Sequence, residues 1–237
     1  MKNKRLLFIF IISILSTKIF AQEEQQPAAP IQEPKSKAKQ IMENIDIILQ
    51  FEPTLYLSPE SKRNNSNIVN IFYGFTFGAS FPRDYFVSFQ PTVSFFSMNH
   101  IWHGNIALPT EIENRTTTTL SFMLNLPAAF NFLFEKSRIQ LTAGVGAFLR
   151  FGILSNGVND NDSGYSGSAA GDVKLINNWF WEKARWLYAS FGASWLYNIT
   201  SKIKIGPVLN VYVPFTSIIE YKKPQDMIIS LGVKICR

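Results

Sequence analysis

The stretch IVNIFYGFTFGASFPRDYFVSFQPTVSFF, residues 68–96, holds two strands built on one template. In its first half Val69, Ile71, Tyr73, Phe75, Phe77, Ala79 and Phe81 alternate with Asn70, Phe72, Gly74, Thr76, Gly78 and Ser80. After a Pro-Arg-Asp turn, Tyr85, Val87, Phe89, Pro91, Val93 and Phe95 alternate with Phe86, Ser88, Gln90, Thr92 and Ser94. A period of two gives each strand two faces of different character. The polar face of this pair carries no charge, so the solvent of each face becomes the question.

The alternation recurs to the end of the chain. Ile45 to Leu57 forms a first strand, and four more apolar series begin at Leu120, Ile139, Leu187 and Ile203. An eighth strand pairs Met227, Ile229, Leu231, Val233 and Ile235 with Ile228, Ser230, Gly232, Lys234 and Cys236. Each is long enough for a tilted bilayer crossing, which takes about 9–11 residues. Short links follow strands two, four and six, at Phe81–Asp84, Glu135–Ser137 and Thr200–Lys202. Long links follow the odd strands, at Ser58–Ser66, Asn99–Arg115, Ser155–Lys183 and Thr216–Asp226. Short turns at one end and long loops at the other are the habit of outer-membrane barrels.

Charge decides which face is wet. Across eight strands the polar face holds only Asp46, Glu52, Arg150, Lys204 and Lys234 as clear charges. A water-facing surface is normally about a quarter to a third charged. The apolar set, in turn, is too large for the inside of eight strands, which side chains only just fill. Placing the apolar face in lipid and the small polar face in the lumen resolves both difficulties. Closure then satisfies every backbone polar group, as hydrocarbon demands. The expected fold is all-β: an eight-stranded antiparallel up-and-down transmembrane β-barrel.

The segment before the barrel divides in two. Met1 to Arg5 is basic, Leu6 to Leu15 is apolar, and a small residue stands at Ala21; residues 1–21 read as a signal peptide. Residues 22–44, rich in Pro, Gln, Glu and Lys, read as a disordered periplasmic tail, with the barrel at 45–237. Four of the +6 net charges, from Lys2, Lys4, Arg5 and Lys18, leave with the signal peptide. The small remainder gives nucleic-acid binding no support. The single cysteine excludes an internal disulfide framework.

Strand parity and direction give the candidate site residues. Asp46, Lys204 and Lys234 should sit low in the lumen, with Asp46 meeting Lys234 or Lys204. Glu52 and Arg150 are expected to face each other as a transverse ion pair, either a static bridge or a gate. Ile48, Phe72, Phe86, Met123, Phe148, Leu196, Val208 and Ile228 should line the lumen as apolar patches. Interfacial aromatics are expected in two belts. Phe81, Tyr85, Phe132, Phe134 and Tyr197 lie near the short turns; Phe95, Trp179, Trp181 and Trp186 lie toward the long loops.

On strand count, strand length and alternating loops, residues 45–237 resemble the small eight-stranded outer-membrane families of the OmpW, OmpX and OmpA-barrel type. No shared sequence motif carries that resemblance. It implies an outer-membrane location, contact with the barrel-assembly machinery, and, for the OmpW type, passage of small apolar solutes through the interior. External loops that bind host or envelope partners are the alternative. One departure is the end Ile235-Cys236-Arg237, where such barrels usually place an aromatic residue.

Other chemistry is weakly signalled. Asn159–Gly164 (NDNDSG) is acidic and Gly-ended but lacks the spacing and distal Glu of a calcium loop. His100 and His103 stand together without a third ligand, so no metal site is expected. A lipid acyltransferase would need His, Asp and Ser at the outer rim, where Ser97, His100, His103, Asp160 and Ser163 are available without diagnostic spacing. No phosphate loop, nucleophile elbow or cofactor pattern is present, and no enzyme is expected.

Overall fold

A computed structural model describes residues 44–57, 70–110, 112, 115–156, 167–219 and 226–237. The signal peptide, most of the tail and Asn159–Gly164 lie outside these residues. The strands are β1 (Asp46–Leu57), β2 (Asn70–Ser80), β3 (Val87–Phe89), β4 (Thr92–His103), β5 (Ile106–Thr110), β6 (Thr116–Leu133), β7 (Ser137–Asn156), β8 (Leu187–Asn198), β9 (Lys204–Pro214) and β10 (Met227–Cys236). Helix α1 spans Ala169–Trp181, and a short α2 spans Phe215–Ile219.

Each strand pairs antiparallel with its neighbour, and the sheet closes where β1 meets β10 and β4 meets β6. Segments β3 and β4 are one stave interrupted at Gln90–Pro91, since both pair with β6. Proline has no N–H to give to a ladder, and the break falls there. The stave count is therefore eight. Strand β5 adds no stave; it folds back on the upper end of β4, from Asn99↔Thr110 to His103↔Ile106.

Three of the expected long loops are thus partly regular structure. The segment 99–115 contains the β4–β5 hairpin, 155–183 contains α1, and 216–226 contains most of α2. Polar residues within these segments interrupt any apolar periodicity that would mark them. Helix α1 is capped by Ser168, whose Oγ accepts from the Gly171 N–H at 3.1 Å, with Asp172 in its first turn.

The two faces of the sheet differ in the way the charge count requires. On β2, Ile71, Tyr73, Phe75 and Phe77 are 51–64 % exposed, whereas Phe72, Thr76 and Ser80 are at most 9 % exposed. In a water-soluble protein a continuous jacket of bare Phe, Leu and Ile of this extent has no counterpart. In lipid it is the surface that hydrocarbon selects. Rings on the jacket meet across neighbouring strands, tilted in Phe51–Phe75 and edge-on in Phe95–Phe122, with centroids 5.2 Å apart in each. The molecule is a closed, eight-stranded antiparallel transmembrane β-barrel.

Candidate functional site

The inside of the barrel is where the sequence places its chemistry, and it is stacked in layers. Lowest, at the short-turn end, two carboxylates are shared by three cations. Arg138 donates to Asp46 Oδ2 at 2.8 Å, Arg83 Nε lies 3.1 Å from Asp46 Oδ1, and Lys204 Nζ lies 3.6 Å from Asp46 Oδ2. Asp84, from the β2–β3 turn, is bridged by Lys204 at 3.1 Å, Arg138 at 3.4 Å and Arg83 at 3.5 Å. Ile48, Leu196 and Cys236 pack just above.

The middle layer is a hydrogen-bonded lattice. Lys234 donates to Gln90 Oε1 and to Gln140 Oε1, both at 2.9 Å. Gln140 passes the chain on to Asn131 Oδ1 at 2.6 Å, and Asn131 donates to Ser88 Oγ at 3.0 Å. Glu52 accepts from Ser230 Oγ at 2.5 Å and from Asn210 Nδ2 at 3.1 Å. A buried charge is tolerated only when neighbours satisfy it in this way.

The upper layer is aromatic. Tyr56, Phe72, Phe96, Phe148 and Tyr188, from β1, β2, β4, β7 and β8, follow one another with centroids 5.8–6.2 Å apart. Met98, Met123, Tyr212 and Ile228 complete the cluster. Gly74 makes room for it: a Cβ there would strike the Phe96 ring.

Above this layer, α1 lies against the long-loop end of β7, β4 and β5. Asp172, Ile176, Trp179 and Phe180 are buried, a spacing that marks one helical face. Asp172 binds Arg115 at 2.6 Å. Asn177 pairs with the backbone of Gly152 as a strand would, accepting from its N–H at 2.8 Å and donating to its C=O at 3.2 Å. Arg150 donates to Tyr56 Oη at 3.2 Å and lies under the Phe180 ring at 4.3 Å and over the Phe148 ring at 4.8 Å.

Several expected placements need correction. Glu52 and Arg150 do not pair. Parity gives the face but not the height: Arg150 is level with Tyr56, four residues and roughly 13 Å along β1 from Glu52. Asp46 meets Lys204, one of the two lysines expected for it, together with two arginines; what differs is the height of Lys234, which is bound to the glutamines above. Phe86 does not line the lumen. It precedes β3, where alternation has not begun, and is 41 % exposed with its ring edge-on to Phe130 and Phe132. Trp179 is not an interfacial ring but part of the buried α1 face, beneath the Arg185 guanidinium at 4.3 Å.

The other placements are as follows. Ile48, Phe72, Met123, Phe148, Leu196, Val208 and Ile228 turn inward and are buried. Phe81, Tyr85, Phe132, Phe134, Tyr197, Phe95 and Trp181 turn outward, and Trp186 is half-buried just before β8. His100 is buried inside the barrel, its Nδ1 2.9 Å from Thr119 Oγ1. Ser97 is exposed on the opposite face of the same strand, so these two acyltransferase candidates do not converge. Asp160 and Ser163 lie outside the described residues. Arg83 and Asp84 were missed because they sit in a short turn, where no alternation flags them; Arg138, second residue of β7, was missed although it shares the inward face of Gln140.

No protein-family model and no curated protein matches the chain. Among solved structures it is similar to Neisserial surface protein A, at 8 % identity and TM-score 0.48, over 81 % of this chain and 96 % of that one. It is similar to the N-terminal β-barrel domain of Pseudomonas aeruginosa OprF, at 14 % identity and TM-score 0.40, over 82 % and 98 %. It is also similar to Ail, the attachment invasion locus protein of Yersinia pestis, at 10 % identity and TM-score 0.43, over 81 % and 95 %. The fold assignment rests on this chain's own closed sheet and inverted polarity.

Proposed function

We propose that this protein is an exported outer-membrane barrel whose lumen is sealed, so that it acts as a membrane-held platform rather than a conduit. The observation that carries this reading is the filled interior: ionic layer, hydrogen-bonded lattice, aromatic layer and helix in succession. Between the lattice and the aromatic layer, among the described residues, lies a cavity of about 20 Å³ beside Gln50, Thr76 and Asn210. That is room for a single water, not for a solute. The platform presents its long-loop end, built on the β4–β5 hairpin and α1, to host or envelope partners, and the assembly machinery inserts it with its termini at the short-turn end.

A route for small apolar solutes is the competing reading, and the apolar belt of Phe72, Phe96 and Phe148 is the feature that favours it. Such a route would require that belt and α1 to move together. Liposome swelling in isosmotic sugars of increasing size distinguishes the two. Liposomes carrying the full chain should swell no faster than protein-free ones; swelling that falls with sugar size would overturn the sealed-barrel reading.

A further inference from the structure

Among the described residues the short-turn mouth has one cation too many. Arg83, Arg138 and Lys204 face Asp46 and Asp84, so this described cluster carries an excess of one positive charge even with every ion pair made. Arg138 is 2 % exposed, and among the described residues its Nε has no hydrogen-bond acceptor. A buried guanidinium N–H left without an acceptor is uncommon in native structures. The three cations border one cavity of about 540 Å³, which opens between the β6–β7 and β8–β9 turns, with the Arg138 Nε shut off behind its wall.

Its wall changes character from inside to outside. Arg138 and Lys204 stand on the lumen side; Ser201 and Thr200 follow on the turn; Phe134 and Ile199 close the outer edge and are exposed on the lipid-facing side. The Thr200 Oγ already accepts from the N–H groups of Lys202 and Ile203, so its own hydrogen is free to be given outward. Cations, hydroxyl donors and an apolar lip, in that order, match a phosphate with acyl chains attached. Asp84 also borders the cavity and opposes any anion, but it is held by Lys204, Arg138 and Arg83.

We infer that this cavity holds the phosphate of an anionic phospholipid from the leaflet at the short-turn end. The phosphate would be met by the surplus charge of Arg83, Arg138 and Lys204 and by the Thr200 hydroxyl, with the acyl chains lying along Phe134 and Ile199. The inference depends on the barrel spanning a bilayer, not on its lumen being sealed.

Native mass spectrometry of the full chain, released from mixed micelles of phosphatidylglycerol and phosphatidylcholine in equal amounts, tests it. One phosphatidylglycerol should be retained preferentially. Lys204→Gln leaves two cations and two carboxylates, a balanced cluster that keeps the fold, and should weaken the preference about fivefold. The heat-dependent gel shift of the folded barrel checks that this variant is intact. Equal retention of the two lipids would overturn the inference, as would an undiminished preference in folded Lys204→Gln. Inorganic phosphate added at the lipid's concentration should not displace it; displacement would mean that the site takes a free oxyanion and not a lipid.

Discussion

The two ends of the lumen are closed by different chemistry. At the short-turn end the closure is ionic: Asp46 and Asp84 are caged by Arg83, Arg138 and Lys204, and the cluster borders an open cavity. At the long-loop end it is aromatic: a belt of rings from five staves beneath α1, with Arg150 held among the rings. The contrast follows from strand length. At the short turns the strands stop at the mouth, within reach of water that solvates charge. At the other end β6 and β7 run on for 18 and 20 residues, and α1 covers the extension, so side chains there are shut off from the bulk solvent.

Removing the shared anion should break the first closure most severely. Asp46→Ala leaves three cations around one half-exposed carboxylate and should destabilise the barrel by about 3–5 kcal/mol. Urea titration of the vesicle-inserted protein, followed by the heat-dependent gel shift, measures this. The aromatic end should lose somewhat less from one ring. Phe148→Ala removes contacts to Phe96, Tyr188 and Arg150 and should cost about 3 kcal/mol in the same titration. Salt separates the two ends: 1 M NaCl should weaken wild type and Phe148→Ala alike, and weaken Asp46→Asn least. A smaller effect is expected at the helix. Asn177→Ala frees one backbone pairing of α1, costs about 1 kcal/mol, and should speed proteolysis within 169–181 while the barrel remains folded. Smallest is Lys204→Gln, at about 1 kcal/mol or less, because the cluster it leaves is balanced.

The same contrast shows what the sequence made legible. Alternation from Ile45 onward, with a polar face nearly devoid of charge, was sufficient for stave number, closure and inversion, because a period of two has one structural meaning when both faces are long. Heights were not legible. The tilt and stagger of a barrel shift each strand along its neighbour, so Glu52 and Arg150 share a face without sharing a level. Turn residues were not legible either. Phe86 lies one residue before β3, so parity placed it wrongly; Arg138 lies one residue before the series that begins at Ile139 and was left out of it, although it shares the inward parity of Gln140. Helix α1 went unread because its buried set, Ala169, Asp172, Ile176, Trp179 and Phe180, includes a carboxylate whose partner Arg115 stands on another segment.

The most direct measurement is single-cysteine labelling along β1 in a Cys236→Ser background, with the full chain inserted in vesicles. Cysteines at 47, 49 and 51 should react with a lipid-soluble maleimide and not with a charged, impermeant one. Cysteines at 48, 50 and 54 should react with neither, since they face a filled lumen. Labelling of the odd set by the charged reagent would contradict the inverted barrel, and labelling of the even set by it would contradict the seal.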